Sequence, residues 1–165
     1  NNGPWDQLIK LQNIILEKIQ NELTIKLNSR ISITPILVPH RDEYSETVCY
    51  LVSTMKKKLL YIPDIDKWHL WDKDIKEMIK IVDYALLDGT FYEDGELSRD
   101  MSKIPHPFVK ESMMLFKDLS KQNKQKVFFT HLNHTNPLII KESKEQLEVK
   151  KLGFNFAMDN QVLEL

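Results

Sequence analysis

Histidines and carboxylates that follow apolar, strand-like runs are the residues of this chain best suited to chemistry. The plainest case is Lys126-Val127-Phe128-Phe129-Thr130-His131-Leu132-Asn133-His134-Thr135-Asn136-Pro137. Val, Phe and Thr favour a buried strand, and Asn-Pro then ends it. The pattern recurs: Val38 precedes His40, Ile62 precedes Asp64, and Leu87 precedes Asp88. Should these strands share one sheet and end at one rim, two imidazoles and a carboxylate converge. That is the donor set of zinc or non-haem iron. Each residue also has a plainer role open to it. Asp64 could cap a helix, Asp88 before Gly89 could make a turn, and His40 after Pro39 could sit on the surface.

The elements that must position these groups are legible as patterns. Trp5, Leu8, Ile9 and Leu11 form the apolar set of a short helix from Pro4 to Leu11. Ile14 to Ile19 and Leu23 to Leu27 are β-prone. Ile31 to Ile36 alternates as a strand, with Pro35 pointing to an edge or a bend. Strands over Thr47 to Val52 and Leu59 to Ile62 flank a Lys56-Lys57-Lys58 turn. Ile75, Met78, Ile79 and Val82 follow the i, i+3, i+4, i+7 spacing of one buried helical stripe. Tyr84 to Leu87 is a short strand ending at Asp88-Gly89-Thr90. A long polar loop from Tyr92 to Pro107 carries Arg99, Asp100 and His106, and loops of that length in compact domains tend to be functional. Helices are expected over Phe108 to Leu119 and over Leu138 to Leu152, the latter closed by Gly153. Phe154 to Met158 and Val162 to Leu165 are short β-prone runs. Strands dominate the first third and then alternate with helices. The fold class is α/β, as a single domain over residues 1–165.

Composition narrows the function classes. The 165 residues are 42% hydrophobic and carry a formal net charge of -1, which fits a globular domain with a real core. A dedicated nucleic-acid surface would show a basic excess, so nucleic acid is not an expected partner. Cys49 is the single cysteine, which excludes an internal disulfide framework and a Cys-rich zinc finger. It is expected to be a small buried hydrophobe rather than a nucleophile. No apolar run approaches the length of a membrane span, and no membrane partner is expected. The chain begins Asn1-Asn2-Gly3-Pro4 without an initiator Met, so an upstream segment is expected. The cytoplasm is the expected compartment, with the periplasm the alternative should that segment carry a signal peptide. Trp68 and Trp71, one helical turn apart, either pack in the core or border a pocket.

Taken together, these pieces resemble the C-terminal half of a metallo-β-lactamase-type αββα sandwich, in the branch of coenzyme PQQ synthesis protein B. The resemblance runs through Gly3-Pro4-Trp5-Asp6-Gln7-Leu8, Val38-Pro39-His40 to Val48-Cys49-Tyr50, and Tyr61-Ile62-Pro63-Asp64. It continues through Leu87-Asp88-Gly89-Thr90-Phe91, Thr130 to Pro137, and Gly153 to Leu165. It implies that His40, Asp64 and His131 are metal ligands, with Asp64 as the carboxylate that bridges two ions. Cys49 stands where the family has a glycine. His134 has no ligand counterpart and would orient substrate or support a ligand from behind. His106 matches a histidine that acts as general acid, with Asp88 orienting it or holding its loop. The alternative for His106 is a loop histidine packed between Pro105 and Pro107.

The family's principal signature, His-x-His-x-Asp-His, does not occur among these 165 residues. The resemblance therefore implies a partner: the N-terminal half, or a second copy of this chain, covering an open sheet face. The implied function is a metal-dependent hydrolase, with a water activated on the metal, or an oxidant, acting on a small-molecule substrate. The implied cofactor is zinc, two ions in the complete site, or iron. The competing expectation is a catalytically incomplete structural or interaction half-domain.

Overall fold

The computed structural model describes residues 3–43 and 45–165. Among them one seven-stranded sheet runs in sequence order: β1 (Ile25–Lys26), β2 (Ser32–Leu37), β3 (Val48–Ser53), β4 (Lys58–Ile62), β5 (Tyr84–Asp88), β6 (Val127–Thr130) and β7 (Asn155–Phe156). Strands β1 to β4 pair antiparallel; β4 to β7 pair parallel. The helices are α1 (Gly3–Lys10), α2 (Ile75–Lys80), α3 (Val109–Leu115), α4 (Lys121–Lys124) and α5 (Lys144–Lys151).

This topology decides where the chemistry sits. β2 is antiparallel to β3, and β3 to β4, so β2 points the same way as β4, β5 and β6. Their C-terminal ends share one rim. His40, Asp64, Asp88 and His131 all lie at or just beyond those ends, as their recurrence after apolar runs implied.

The two faces of the sheet differ. Consecutive parallel crossovers of one hand place their helices on one side. That side buries Leu60, Ile62, Ala85, Leu87, Val127 and Phe129 completely, against Ile75 and Ile79 of α2, Val109 and Met113 of α3, and Val149 of α5. Register pairs place Tyr50, Tyr61, Leu86 and Phe128 together on the other side. There Leu37 is 42% and Tyr61 38% exposed, and Tyr50, Leu86 and Phe128 are half-buried. The sheet thus keeps one packed face and one largely apolar open face.

Several expectations need correction. Residues 14–20 form no strand, and only Ile25–Lys26 of the next β-prone run pairs; a run without a partner has nowhere to place its backbone hydrogen bonds. Likewise only Asn155–Phe156 pairs in the tail, and residues 159–165 form no strand. The helix expected from Leu138 starts at Lys144 instead. Pro137–Ile139 makes a 3-10 turn, Glu142 adopts φ 60°, and Ser143 accepts from Gln146 N while Gln146 Oε1 accepts from Glu142 N. This reciprocal cap sets the start, and Gly153 at φ 90° ends the helix as expected. The helix after Pro107 stops at Leu115, and α4 was not anticipated. Pro35 is buried within β2, but β1 reaches only Ile33, so Pro35 faces no ladder on that side. The loop from Tyr92 to Pro107 is not simply polar. Phe91, Met101, Ile104 and Phe108 form a small core of their own with Leu97 against it, and Tyr92 is fully buried in the main core. Trp68 and Trp71 are core residues whose indole N–H groups donate to Ser112 Oγ and the Leu37 carbonyl.

Candidate metal centre

Asp64 and His40 are brought together by a backbone hydrogen bond between two rim loops, Asp66 N donating to the Pro39 carbonyl at 2.7 Å; Val38 N, donating to Thr47 O at 3.1 Å, closes the base of the His40 loop. His40 Nε2 then lies 3.2 Å from Asp64 Oδ1. His106 Nδ1 approaches the same oxygen at 3.5 Å. One ligand atom from each of His40, Asp64 and His106 fits within 4.8 Å of the others. Asp64 does not cap a helix; Asp74 caps α2 by accepting from Lys76 N.

Two of these polar atoms are buried without a hydrogen-bond partner: His40 Nδ1 and Asp64 Oδ1. Asp64 Oδ1 has imidazole nitrogens nearby, but none in hydrogen-bonding geometry. Buried polar groups are almost always satisfied, and a cation would satisfy a carboxylate oxygen that stands between two imidazoles. Nitrogen and carboxylate oxygen donors suit zinc and iron alike.

Asp88, the last residue of β5, is the anchor beneath this group and is fully buried. Its Oδ1 accepts from Thr90 N at 2.9 Å and from the Thr90 hydroxyl at 2.8 Å. Its Oδ2 accepts from Ile65 N at 3.1 Å and lies 2.8 Å from His106 Nδ1. Asp88 thereby ties the Asp64 loop, the turn after β5 and the long loop to one carboxylate. Burial opposes protonation of His106. The hydrogen bond to Asp88 and the nearby carboxylates of Asp88, Asp64 and Asp66 outweigh it, and hold the His106 pKa above the ordinary histidine value. His106 packs edge-on to Phe91 at 6.0 Å between ring centroids.

His131 stands one step from the compact trio. Its ring is 6.3 Å from that of His106, which is 5.4 Å from that of His40. Its Nδ1 lies 3.0 Å from Thr90 Oγ1. The residue is exposed, with φ 58°. His134 is also exposed, and among the described residues it takes no part in the bonds and ring contacts that join the other three histidines. Cys49 is fully buried and burial pushes its thiol up to about 12, so it is no nucleophile.

The close approach of β5 and β6 depends on Gly89. A Cβ there would meet Phe129 Cβ at 2.9 Å, Thr130 O at 3.1 Å and Leu132 Cδ2 at 3.2 Å. Gly89 N donates to Thr130 O at 2.9 Å. Asn136, fully buried, donates to the Gly89 carbonyl at 2.6 Å and accepts from Leu138 N. Asn133 N donates to Thr90 O. Thr90 and Asn136 thus fasten the His131 turn to the end of β5. In the sequence, Asn136 stands in a strand stop and Thr90 beside a turn, both inside stretches that carry the resemblance, and neither has a role of its own there.

A beta-lactamase superfamily domain matches residues 5–132. The chain belongs to the beta-lactamase superfamily. Within the superfamily it is similar to coenzyme PQQ synthesis protein B of Acinetobacter baumannii, 25% identical over 144 residues that cover 81% of this chain and 46% of the relative. The same protein of Methylorubrum populi is 29% identical over 132 residues, covering 74% of this chain and 42% of the relative. The crystal structure of Zn(2+)-bound PqqB from Methylobacterium extorquens superposes with a TM-score of 0.73 at 25% identity, covering 90% of this chain and 55% of that one. The chain spans about half the length of the curated relatives it matches. The α/β class and the metallo-β-lactamase fold expected from the sequence are therefore borne out, as is the branch of coenzyme PQQ synthesis protein B.

Proposed function

We propose that this chain contributes one side of the metal centre of a metal-dependent hydrolase related to coenzyme PQQ synthesis protein B, acting on a small substrate. The observation that carries the reading is the orphaned Asp64 Oδ1 beside the imidazoles of His40 and His106. His40 and Asp64 would hold the ion. His131, at the neighbouring strand end, is the third ligand by family resemblance. Zinc is the metal in the similar solved structure, and the donor types suit iron as well. When bound, the ion supplies Lewis-acid activation of water or of a substrate oxygen.

His106 has a different task in this reading. Its Nδ1 is held by Asp88, which leaves Nε2 to give a proton to a leaving group. Its raised pKa keeps it protonated further up the pH scale than a free histidine, as a general acid requires. Its placement within the compact trio also suits a ligand, and substitution separates the two roles. As the acid, His106→Gln lowers turnover and spares metal content; as a ligand, it lowers both.

The remaining donors would come from a half that carries the His-x-His-x-Asp-His stretch. We place that partner on the open sheet face around Tyr61, Leu86 and Phe128, where a second sheet about 10 Å away would complete a sandwich. The same open face favours a second reading, a structural half-domain that kept ligand-like residues. Two measurements separate them: zinc and iron content by elemental mass spectrometry, and turnover of an ester and a phosphodiester probe. Both are made on this chain alone and joined to the upstream half of a relative. The enzyme reading predicts metal at stoichiometric level and turnover in the joined form, with Asp64→Ala losing both. A joined form that is folded, metal-free and inactive overturns it.

A further inference from the structure

The Thr90 hydroxyl stands between two groups, Asp88 Oδ1 and His131 Nδ1. The Thr90 hydroxyl has one proton and two lone pairs. That proton goes to Asp88 Oδ1 at 2.8 Å. Asp88, a carboxylate, offers no proton in return; Thr90 N, Ile65 N and His106 Nδ1 lie at its remaining acceptor positions. What Thr90 Oγ1 turns toward His131 Nδ1, 3.0 Å away, is therefore a lone pair. An imidazole nitrogen that meets a lone pair must carry hydrogen.

We propose that Thr90 is a positioning residue that fixes His131 in its Nδ1–H tautomer, so that Nε2 presents a bare lone pair. Asp88 then sets two histidines at once, His106 directly and His131 through the Thr90 hydroxyl. The backbone supports this use. His131 holds a left-handed φ of 58°, which costs a non-glycine residue roughly 1–2 kcal/mol. Asn133 N on Thr90 O and the Asn136 amide on Gly89 O and Thr90 O hold the turn in place against that cost. Strain kept at a rim turn is spent on aiming one side chain. A metal-ligating histidine ordinarily has its other nitrogen fixed by such a partner. The tautomer assignment itself needs no metal; only the use of Nε2 as a ligand rests on the function proposed above.

The test is a long-range 1H–15N correlation spectrum of the imidazoles in the 15N-labelled chain at pH about 8, above the ordinary histidine titration. The wild-type spectrum is expected to show His131 with a protonated Nδ1 and an unprotonated Nε2. Thr90→Val, which keeps the shape and removes the hydroxyl, should move His131 toward the Nε2–H form, and Thr90→Ser should restore it. A purely structural threonine would leave the tautomer where it was. A wild-type His131 protonated on Nε2 overturns the proposal, even if Thr90→Val fails to fold. So does a folded Thr90→Val with an unchanged tautomer. A zinc titration of the same proteins addresses the metal separately: a loss of about 10–100-fold in Thr90→Val, recovered in Thr90→Ser, is expected for a ligand. A tautomer that moves while zinc affinity does not would retain the positioning role and remove His131 from the ligand set.

Discussion

Asp88→Ala is the substitution that most strains this structure. It removes a fully buried carboxylate and leaves Ile65 N–H, Thr90 N–H, the Thr90 hydroxyl and His106 Nδ1 without their acceptor. Each buried donor left unmade costs about 1–3 kcal/mol. They share one small region, so relaxation and entering water limit the sum. Breaking one side of a buried charged pair costs about 3–5 kcal/mol in all, and that is the expected loss. Against a total stability of about 5–15 kcal/mol, the variant is near the edge of folding. The assay is urea unfolding followed by tryptophan fluorescence, since Trp68 and Trp71 are both in the core. With a slope of about 2 kcal/mol per molar, the midpoint should fall by roughly 2 M. Asp88→Asn keeps the volume but turns an amide NH2 toward donors, and should lose less. A midpoint within about 0.3 M of wild type for Asp88→Ala would refute the idea that this carboxylate holds the rim loops together.

Three further outcomes follow from the same geometry. Gly89→Ala should destabilise by about 1–3 kcal/mol and pull β5 and β6 apart at the rim, because its Cβ would sit 2.9 Å from Phe129 Cβ; denaturation and amide exchange at Thr130 report it. In the metal-free chain, the raised His106 pKa means that the folded state holds its proton longer than the unfolded state. That stabilisation is full below about pH 6.5, the unfolded value, and is lost as pH rises through the folded value; His106→Gln should remove this decline from a series of urea midpoints. Tyr61→Ser on the open face should destabilise this chain by about 0.5–3 kcal/mol, because Tyr61 is only 38% exposed, and weaken association with an upstream half, read by analytical ultracentrifugation of the folded mixture.

Much of the site was legible because strands announce their ends. Apolar runs closing on His40, Asp64, Asp88 and His131 gave both the strands and the rim, and the sheet order brought those ends to one side. What stayed hidden depended on partners. The runs at residues 14–19 and 162–165 have strand-like composition but no neighbour to pair with. The true start of α5 lay in the Ser143 and Gln146 cap, obscured by the apolar Leu138, Ile139 and Ile140 before it. The apolar residues of the long loop are too scattered to show a period, yet Met101 and Ile104 meet Phe91 and Phe108 in space. Thr90 and Asn136 carry no chemical signature of their own. Their roles come from where the chain folds back, and only the Asp88-Gly89-Thr90 tripeptide hinted at them.

The proposed function stands or falls on whether the rim at Asp64 holds a cation. Crystals of the chain soaked in zinc, with diffraction collected on both sides of the zinc absorption edge, test it directly. An anomalous peak is expected about 2.0–2.2 Å from Asp64 and from an imidazole nitrogen of His40, with His131 or His106 completing the set. Zinc peaks confined to other sites, with Asp64 Oδ1 still unpartnered, would contradict it.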